Sequence, residues 1–442
     1  MIREAASGRP QIRGLLPALL CALLALSPSL AAEPAASSGR LSSRLPAAVA
    51  DAQRLVEKLR GVPFGGTVSS AVLSEKELPR ILERRLGEDL PVPFERYTAS
   101  LVALGLVAPE PDLKRRMLQL YSRQVAGFYD PDEKKFFVIP ERTDEAVRAA
   151  SGLGASAEGL LEDALLTHEL THALQDRRLD LVPRMKRLRE NSDAALALQA
   201  FLEGEATVVM MEAILARLPA EARALTSADQ LLASMAQLAA GGLEGAEGVP
   251  EYFVKELLFP YTSGTAWVAS RRARGGWSAI DAAYDQVPAT TAEILDPGRD
   301  ARGRSLLPFG ALPSSEDLPR RARVLYADRL GAFTLRSLLE AAGASEAGPL
   351  AAAWEDDRIL FYEMPGRTAS SVGFAWRIRL ASATRARALA SVLGPFYEAV
   401  APGAAVVRAD GDLVRVDRRP APLSPRGGAS ALPAGTRRAE PR

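Results

Sequence analysis

The chain has 442 residues, 48% of them hydrophobic and 25% charged, and a formal net charge of +1. That length supports one large or two smaller cores, and the balanced charge gives no reason to expect nucleic acid or an acidic membrane surface as a partner. Cys21 is the only cysteine, which excludes a disulfide framework.

The N-terminus reads as a leader. Arg3, Arg9 and Arg13 precede an apolar stretch from Leu15 to Leu26, and Ser29-Leu30-Ala31 offers the small residues a signal peptidase reads. The expectation is a signal peptide over residues 1–32, with a linker over 33–44; the alternative is an uncleaved membrane anchor. Removal of the leader takes Cys21 with it, which excludes thiolate ligands and thiol catalysis in the mature chain. No later segment reads as long and apolar enough to cross a membrane.

Apolar residues at three- and four-residue spacing predict a helix over Leu45 to Leu59, and the alternation from Thr67 to Leu73 predicts a strand. Ser74 followed by Glu77 is a capping-box signal for a helix reaching about Leu86. Helices are predicted over Phe94 to Leu106 and Leu113 to Val125. From Gly127 to Ile139, two short apolar runs flank Asp130-Pro131-Asp132-Glu133, the chemistry of a hairpin turn. Long helices follow over about Ala157 to Leu174 and Asp193 to Leu218. A Gly-rich loop then precedes a helix ending near Phe259. Another helix is predicted over Trp277 to Tyr284, with Arg271, Arg272 and Arg274 as a charge group at a helix C-terminus. Pro288 to Pro297 reads as extended loop.

Pro308 to Leu318 is loop-like. Beyond it come a helix over Ala332 to Ala342, strands over Arg358 to Met364 and Phe374 to Leu380, a helix over Thr384 to Val400, and a hairpin over Ala405 to Val416. Trp354-Glu355-Asp356-Asp357 lacks the ligand spacing of a calcium loop and reads as a turn or surface cluster. The four tryptophans are expected in packing roles. Arg419 to Arg442 has the composition of a disordered tail.

One constellation carries chemistry: His168-Glu169-Leu170-Thr171-His172 inside the first long helix. Residues four apart share a helix face, so both imidazoles can reach one metal ion, with Glu169 beside them. Leu165, Leu166, Leu170, Ala173 and Leu174 would bury that helix. The chain holds two histidines, both in this motif. A catalytic zinc site takes three protein ligands and leaves a position open, so an oxygen donor must complete it. Glu203, in Phe201-Leu202-Glu203-Gly204-Glu205-Ala206-Thr207, is the best candidate. Two carboxylates amid apolar residues are costly to bury without a partner. The alternative is that Glu203 and Glu205 lie on a solvated face. Gly204 within a helix suggests close approach to a neighbouring helix.

His-Glu-Leu-Thr-His-Ala-Leu-Gln-Asp, followed some thirty residues later by Leu-Glu-Gly-Glu-Ala-Thr, resembles a group of bacterial and archaeal gluzincin-type metallopeptidase homologues. Gly127-Phe128-Tyr129-Asp130 is similar to that group's edge-strand segment. Phe259-Pro260-Tyr261-Thr262-Ser263-Gly264-Thr265-Ala266, followed by Gly275-Gly276-Trp277, also matches it. The resemblance extends from about Leu55 to Trp354. It implies one catalytic Zn2+ held by His168, His172 and Glu203, with Glu169 as general base. Two positions depart from the group's pattern: Glu205 stands where Asp is commoner, and Asp296 where relatives often carry His. Thermolysin-like enzymes stabilise the oxyanion with a histidine and a tyrosine. Here that role would fall to a tyrosine or an arginine, with Tyr261 the first choice and a half-buried core tyrosine its alternative.

Together these readings predict an α+β, mainly α-helical protein: a zincin-like metallopeptidase domain with a small β-sheet over 45–310, a C-terminal α+β region over 311–418, and a tail over 419–442. The function they imply is zinc-dependent hydrolysis of peptide bonds in a peptide or protein substrate outside the cytoplasm, in the periplasm or extracellular space. The competing readings are an inactive homologue serving as an envelope interaction module, and a zinc hydrolase acting on a non-peptide amide. The hairpin near Phe136 to Ile139 is expected to pair with an extended substrate as an added strand. Oligomeric state is not legible in the sequence.

Overall fold

The computed structural model describes residues 38–143, 155–218, 245–299, 306–365 and 372–421. The expected leader and nearly all of the expected tail lie outside these residues. Within them the chain is mainly helical with two small sheets, an α+β arrangement. It forms two compact units, each assembled from separated segments. The first comprises residues 1–90, 118–189 and 209–231; the second comprises 91–117, 190–208 and 232–442.

The first unit contains helices α1 (Ser38–Arg60) and α2 (Leu78–Asp89) and strands β1 (Ser69–Val72), β2 (Gly127–Asp130) and β3 (Lys135–Val138). Helix α1 starts at Ser38, so residues expected as linker are helical. The Ser74 signal forms a turn rather than the helix start. Ser74 N–H donates to the Glu77 carboxylate at 3.1 Å, but α2 begins only at Leu78, with a proline in its first turn where a missing N–H costs nothing. The hairpin forms as expected. Asp130 Oδ1 accepts the backbone N–H groups of Asp132 and Glu133, and buried Arg85 clamps the carboxylates of both Asp130 and Asp132. The sheet order is β1-β3-β2, with β1–β3 parallel and β2–β3 antiparallel. Strand β3 is therefore central and paired on both sides. Of the hairpin's two strands, β2 lies at an edge of the described sheet and β3 does not.

Helix α5 (Ala155–Leu179) packs against α1 and β2. Helices α3 (Phe94–Leu104) and α4 (Leu113–Gln124) precede it in the chain, and α6 (Leu181–Arg187), not expected from sequence, follows it. Every residue of α5 from Ala164 to Asp176 is buried. Thr167 and Thr171 meet that burial by donating their hydroxyls to carbonyls one turn back, at 2.7 Å each.

The second unit takes the first part of α7 (Ser192–Arg217), then α8 (Glu251–Phe259), a π-helical turn (Pro260–Gly264) and α9 (Thr265–Asp285). Helix α9 begins twelve residues before the expected Trp277. It breaks at Gly275–Gly276, where Gly276 has φ 64°, directly after the predicted arginine cluster. Pro288 to Pro297 is not wholly extended: Thr290 caps a short helix, α10 (Thr291–Leu295).

An antiparallel sheet in the order β4-β5-β6-β8-β7 forms the rest of this unit. Its strands are β4 (Arg323–Asp328), β5 (Trp354–Glu363), β6 (Val372–Leu380), β7 (Ala405–Asp410) and β8 (Leu413–Arg418). Helices α11 (Gly331–Ala341), α12 (Ala347–Ala352) and α13 (Ala383–Val400) complete it. The Trp354–Asp357 segment is neither a turn nor a surface cluster. It opens β5, and Trp354, Asp356 and Asp357 are buried. Asp357 accepts the N–H groups of Leu330 and Gly331 and the indole N–H groups of Trp354 and Trp376. Four donors on one carboxylate explain how an acid tolerates the core. Trp267, Trp354 and Trp376 are core residues as expected, while Trp277 is half-buried beneath the Arg272 guanidinium.

One further expectation changes. Helix α7 is long and apolar enough to cross a membrane by length and composition, although 89% of its most apolar window is buried within the protein. That apolarity is spent on packing, as in the core helix of a globular protein.

Candidate metal centre

The motif falls in the buried stretch of α5. Its i, i+4 spacing turns the two imidazoles toward each other. Their Nε2 atoms lie 3.1 Å apart, with the rings edge-on at 79°. His168, Glu169 and His172 present donor atoms all within 4.8 Å of one another. Two ligand atoms held about 2.05 Å from a tetrahedral zinc ion would sit roughly 3.3 Å apart, so the observed convergence fits such an ion. His172 Nδ1 lies 2.8 Å from Gln175 Oε1. An amide oxygen accepts only, so Nδ1 carries the proton and Nε2 presents its lone pair toward His168. The donor set thus fits a divalent cation, and Gln175 fixes the tautomer this requires.

Glu169 is fully buried, and its Oε2 accepts the backbone N–H of Tyr129 at 2.8 Å. The phenol of the same tyrosine donates to Asp176 Oδ2 at 2.9 Å. Asp176 is itself buried. It also receives Lys134 Nζ at 2.7 Å and the Leu181 N–H at 3.0 Å. Burial and then the adjacent Asp176 carboxylate push the Tyr129 phenol far above its ordinary pKa, so it remains a proton donor. Tyr129, Asp176, Lys134 and Arg177 help line a pocket of about 380 Å3 at this end of the helix. Sequence reasoning gave Tyr129, Gln175 and Asp176 no role. The available signal was helical phase: Asp176 lies seven residues, two turns, beyond Glu169 on one face.

The other predicted residues belong to the second unit. Glu203 and Glu205 are buried on α7, which rules out the solvated-face reading for both. Glu205 accepts the Tyr284 hydroxyl, and Phe201 stacks edge-on against Trp267 and Tyr284. Gly204 performs the close approach expected of it. A Cβ there would lie 2.3 Å from the Gly264 carbonyl oxygen, and a Cβ on Gly264 would lie 2.0 Å from that of Ala200. Tyr261 is buried in the π-helical turn. Asp296 follows α10 and accepts the Gly298 N–H at 3.0 Å. The converging group among the described residues is the one on α5.

No family model and no curated protein matches the chain. A solved structure from Chloroflexus aurantiacus, described as a hydrolase by provisional assignment with a novel fold, has a TM-score of 0.38 and 19% identity. The match covers 60% of this chain and 90% of that one. The likeness is partial, and no activity is inferred from it.

Proposed function

We propose that this chain is a zinc-dependent metallopeptidase of gluzincin type, acting on peptide or protein substrates outside the cytoplasm. The observation that carries the reading is the convergence of His168 and His172 Nε2 at 3.1 Å beside the buried carboxylate of Glu169. In this reading His168, His172 and Glu203 are the ligands. The chain has no third histidine, so an oxygen donor is required, and the resemblance of Leu202-Glu203-Gly204-Glu205-Ala206-Thr207 to the gluzincin-type group implies Glu203.

Zinc in such a site supplies Lewis acidity, lowering the pKa of water and polarising a carbonyl. The protein's own residues manage the protons. Glu169 takes a proton from the attacking water onto its carboxylate and returns it to the leaving amine nitrogen. Gln175 keeps His172 in the tautomer that offers Nε2. The Tyr261 hydroxyl donates to the oxygen that gains charge.

The test uses purified protein produced from the whole chain. It is expected to hold about one equivalent of zinc and to cleave casein. Glu169→Gln should retain the metal and lose at least about a hundredfold in rate, the scale of a general base. His168→Ala should lose the metal as well. Purified protein that neither contains zinc nor takes it up on titration would overturn the reading.

A further inference from the structure

Strand β2 lies at one edge of its sheet, and the pairing with β3 fixes which of its backbone groups face outward. The Ile139 N–H donates to the Ala126 carbonyl, in register with Gly127↔Val138. In an antiparallel pair, hydrogen-bonded and non-hydrogen-bonded partners alternate along the strand. Ala126/Ile139, Phe128/Phe137 and Asp130/Lys135 are therefore the bonded pairs, and Tyr129 turns its N–H away from β3. That outward N–H meets Glu169 Oε2 at 2.8 Å. The side chain of the same residue reaches Asp176, which Lys134 also grips. Tyr129 thus touches one face of α5 at two points two turns apart, about 10 Å along the axis.

We propose that Tyr129 is the positioning residue for Glu169: its amide orients the carboxylate through Oε2, and its phenol, anchored on Asp176, holds the strand at the register that keeps the amide there. This rests on the metallopeptidase reading for its catalytic meaning. The amide contact does not depend on that reading and can be tested without it. A carboxylate held at one oxygen is restricted in its side-chain torsions, which pre-aligns it for the proton transfer. A freely rotating carboxylate would lose that pre-alignment on every turnover. Lys134 contributes by donating to the same Asp176 oxygen that accepts the phenol, at 2.7 Å.

Two measurements decide it. The first is backbone hydrogen exchange by NMR or mass spectrometry on the full chain. The Tyr129 amide is expected to exchange at least about tenfold faster in Glu169→Ala than in the wild type, the scale of one lost hydrogen bond to a charged acceptor. Phe128 and Asp130, whose amides face β3, should keep their protection. Equal exchange at Tyr129 in the two proteins overturns the proposal, whatever the enzyme does. The second is kinetic. Tyr129→Phe should bind zinc as the wild type does, keep KM within about twofold, and lose about tenfold in kcat. An unchanged kcat in folded Tyr129→Phe overturns the anchoring role of the phenol. A rise in KM alone would assign the residue to substrate binding and overturn the positioning role. Wild-type protein that cleaves nothing refutes the metallopeptidase reading, while the exchange experiment still returns its own answer.

Discussion

Asp357 shows how much a single buried carboxylate organises in the second unit. It collects two backbone and two indole N–H groups, and burial raises its pKa while the donors from Leu330, Gly331 and Trp376 act against the rise. Asp357→Ala would leave four buried donors without an acceptor. The expected loss is roughly 3 kcal/mol or more, read as a shift in the urea midpoint with the slope unchanged. At the candidate centre the corresponding residue is Gln175. Gln175→Ala removes the acceptor that fixes the His172 tautomer. Zinc affinity is expected to fall by about ten- to a hundredfold, measured by competition with a chromogenic chelator, while the fold is retained.

Among the elements, α7 best shows sequence constraint turned into packing. Its glycine costs helix propensity of about 1 kcal/mol against alanine, yet the backbone of Gly264 occupies the space a methyl group would need. Gly204→Ala is therefore expected to destabilise by about 2 kcal/mol or more despite the better propensity. Gly87 in α2 is the control. A Cβ there meets nothing within 4 Å, so Gly87→Ala should stabilise by about 0.5–1 kcal/mol. Opposite signs for the same substitution, seen by thermal melts, would confirm that the contact and not the residue type sets the effect. The hairpin carrying β2 and β3 is held in the same local manner, with Arg85 neutralising two turn carboxylates.

At the scale of the molecule, stability is tied to pH through a water-sized cavity of about 20 Å3 inside the second unit. Glu256 and Asp328 line it with Tyr97, Tyr252 and Tyr326. Burial lifts the Glu256 carboxyl to about 7, with the Tyr252 hydroxyl acting against the rise and Asp328 adding to it. Burial likewise lifts Asp328 to about 6 against its bonds from Ser192 and Arg329. Both folded values exceed the ordinary ones of 4.5 and 3.8. These groups favour the fold while protonated, so their contribution is complete at acid pH below the ordinary values. It is lost as pH rises through about 6 and 7. The melting temperature of the second unit should fall between pH 5 and pH 8, and Glu256→Gln should flatten that slope. A slope identical to the wild type's would show that Glu256 does not titrate in this range.

The sequence by itself determined the local elements and the chemistry of the motif. Helical phase placed His168 and His172 on one face, turn chemistry fixed the Asp130–Lys135 reversal, and a count of two histidines confined any imidazole ligation to α5. These are properties of contiguous residues, where periodicity and turn preference act directly. The tertiary structure decided what depends on distant partners. It made β3 central and β2 an edge, because strand order depends on which strands pair. It buried Asp356 and Asp357, because their donors come from Leu307, Arg329, Leu330 and Trp376. It also joined Glu169 to Tyr129 across forty residues of chain, a contact no spacing rule encodes. The two units draw on interleaved segments for the same reason: burial of apolar faces follows proximity in space, and sequence order records that only within a single element.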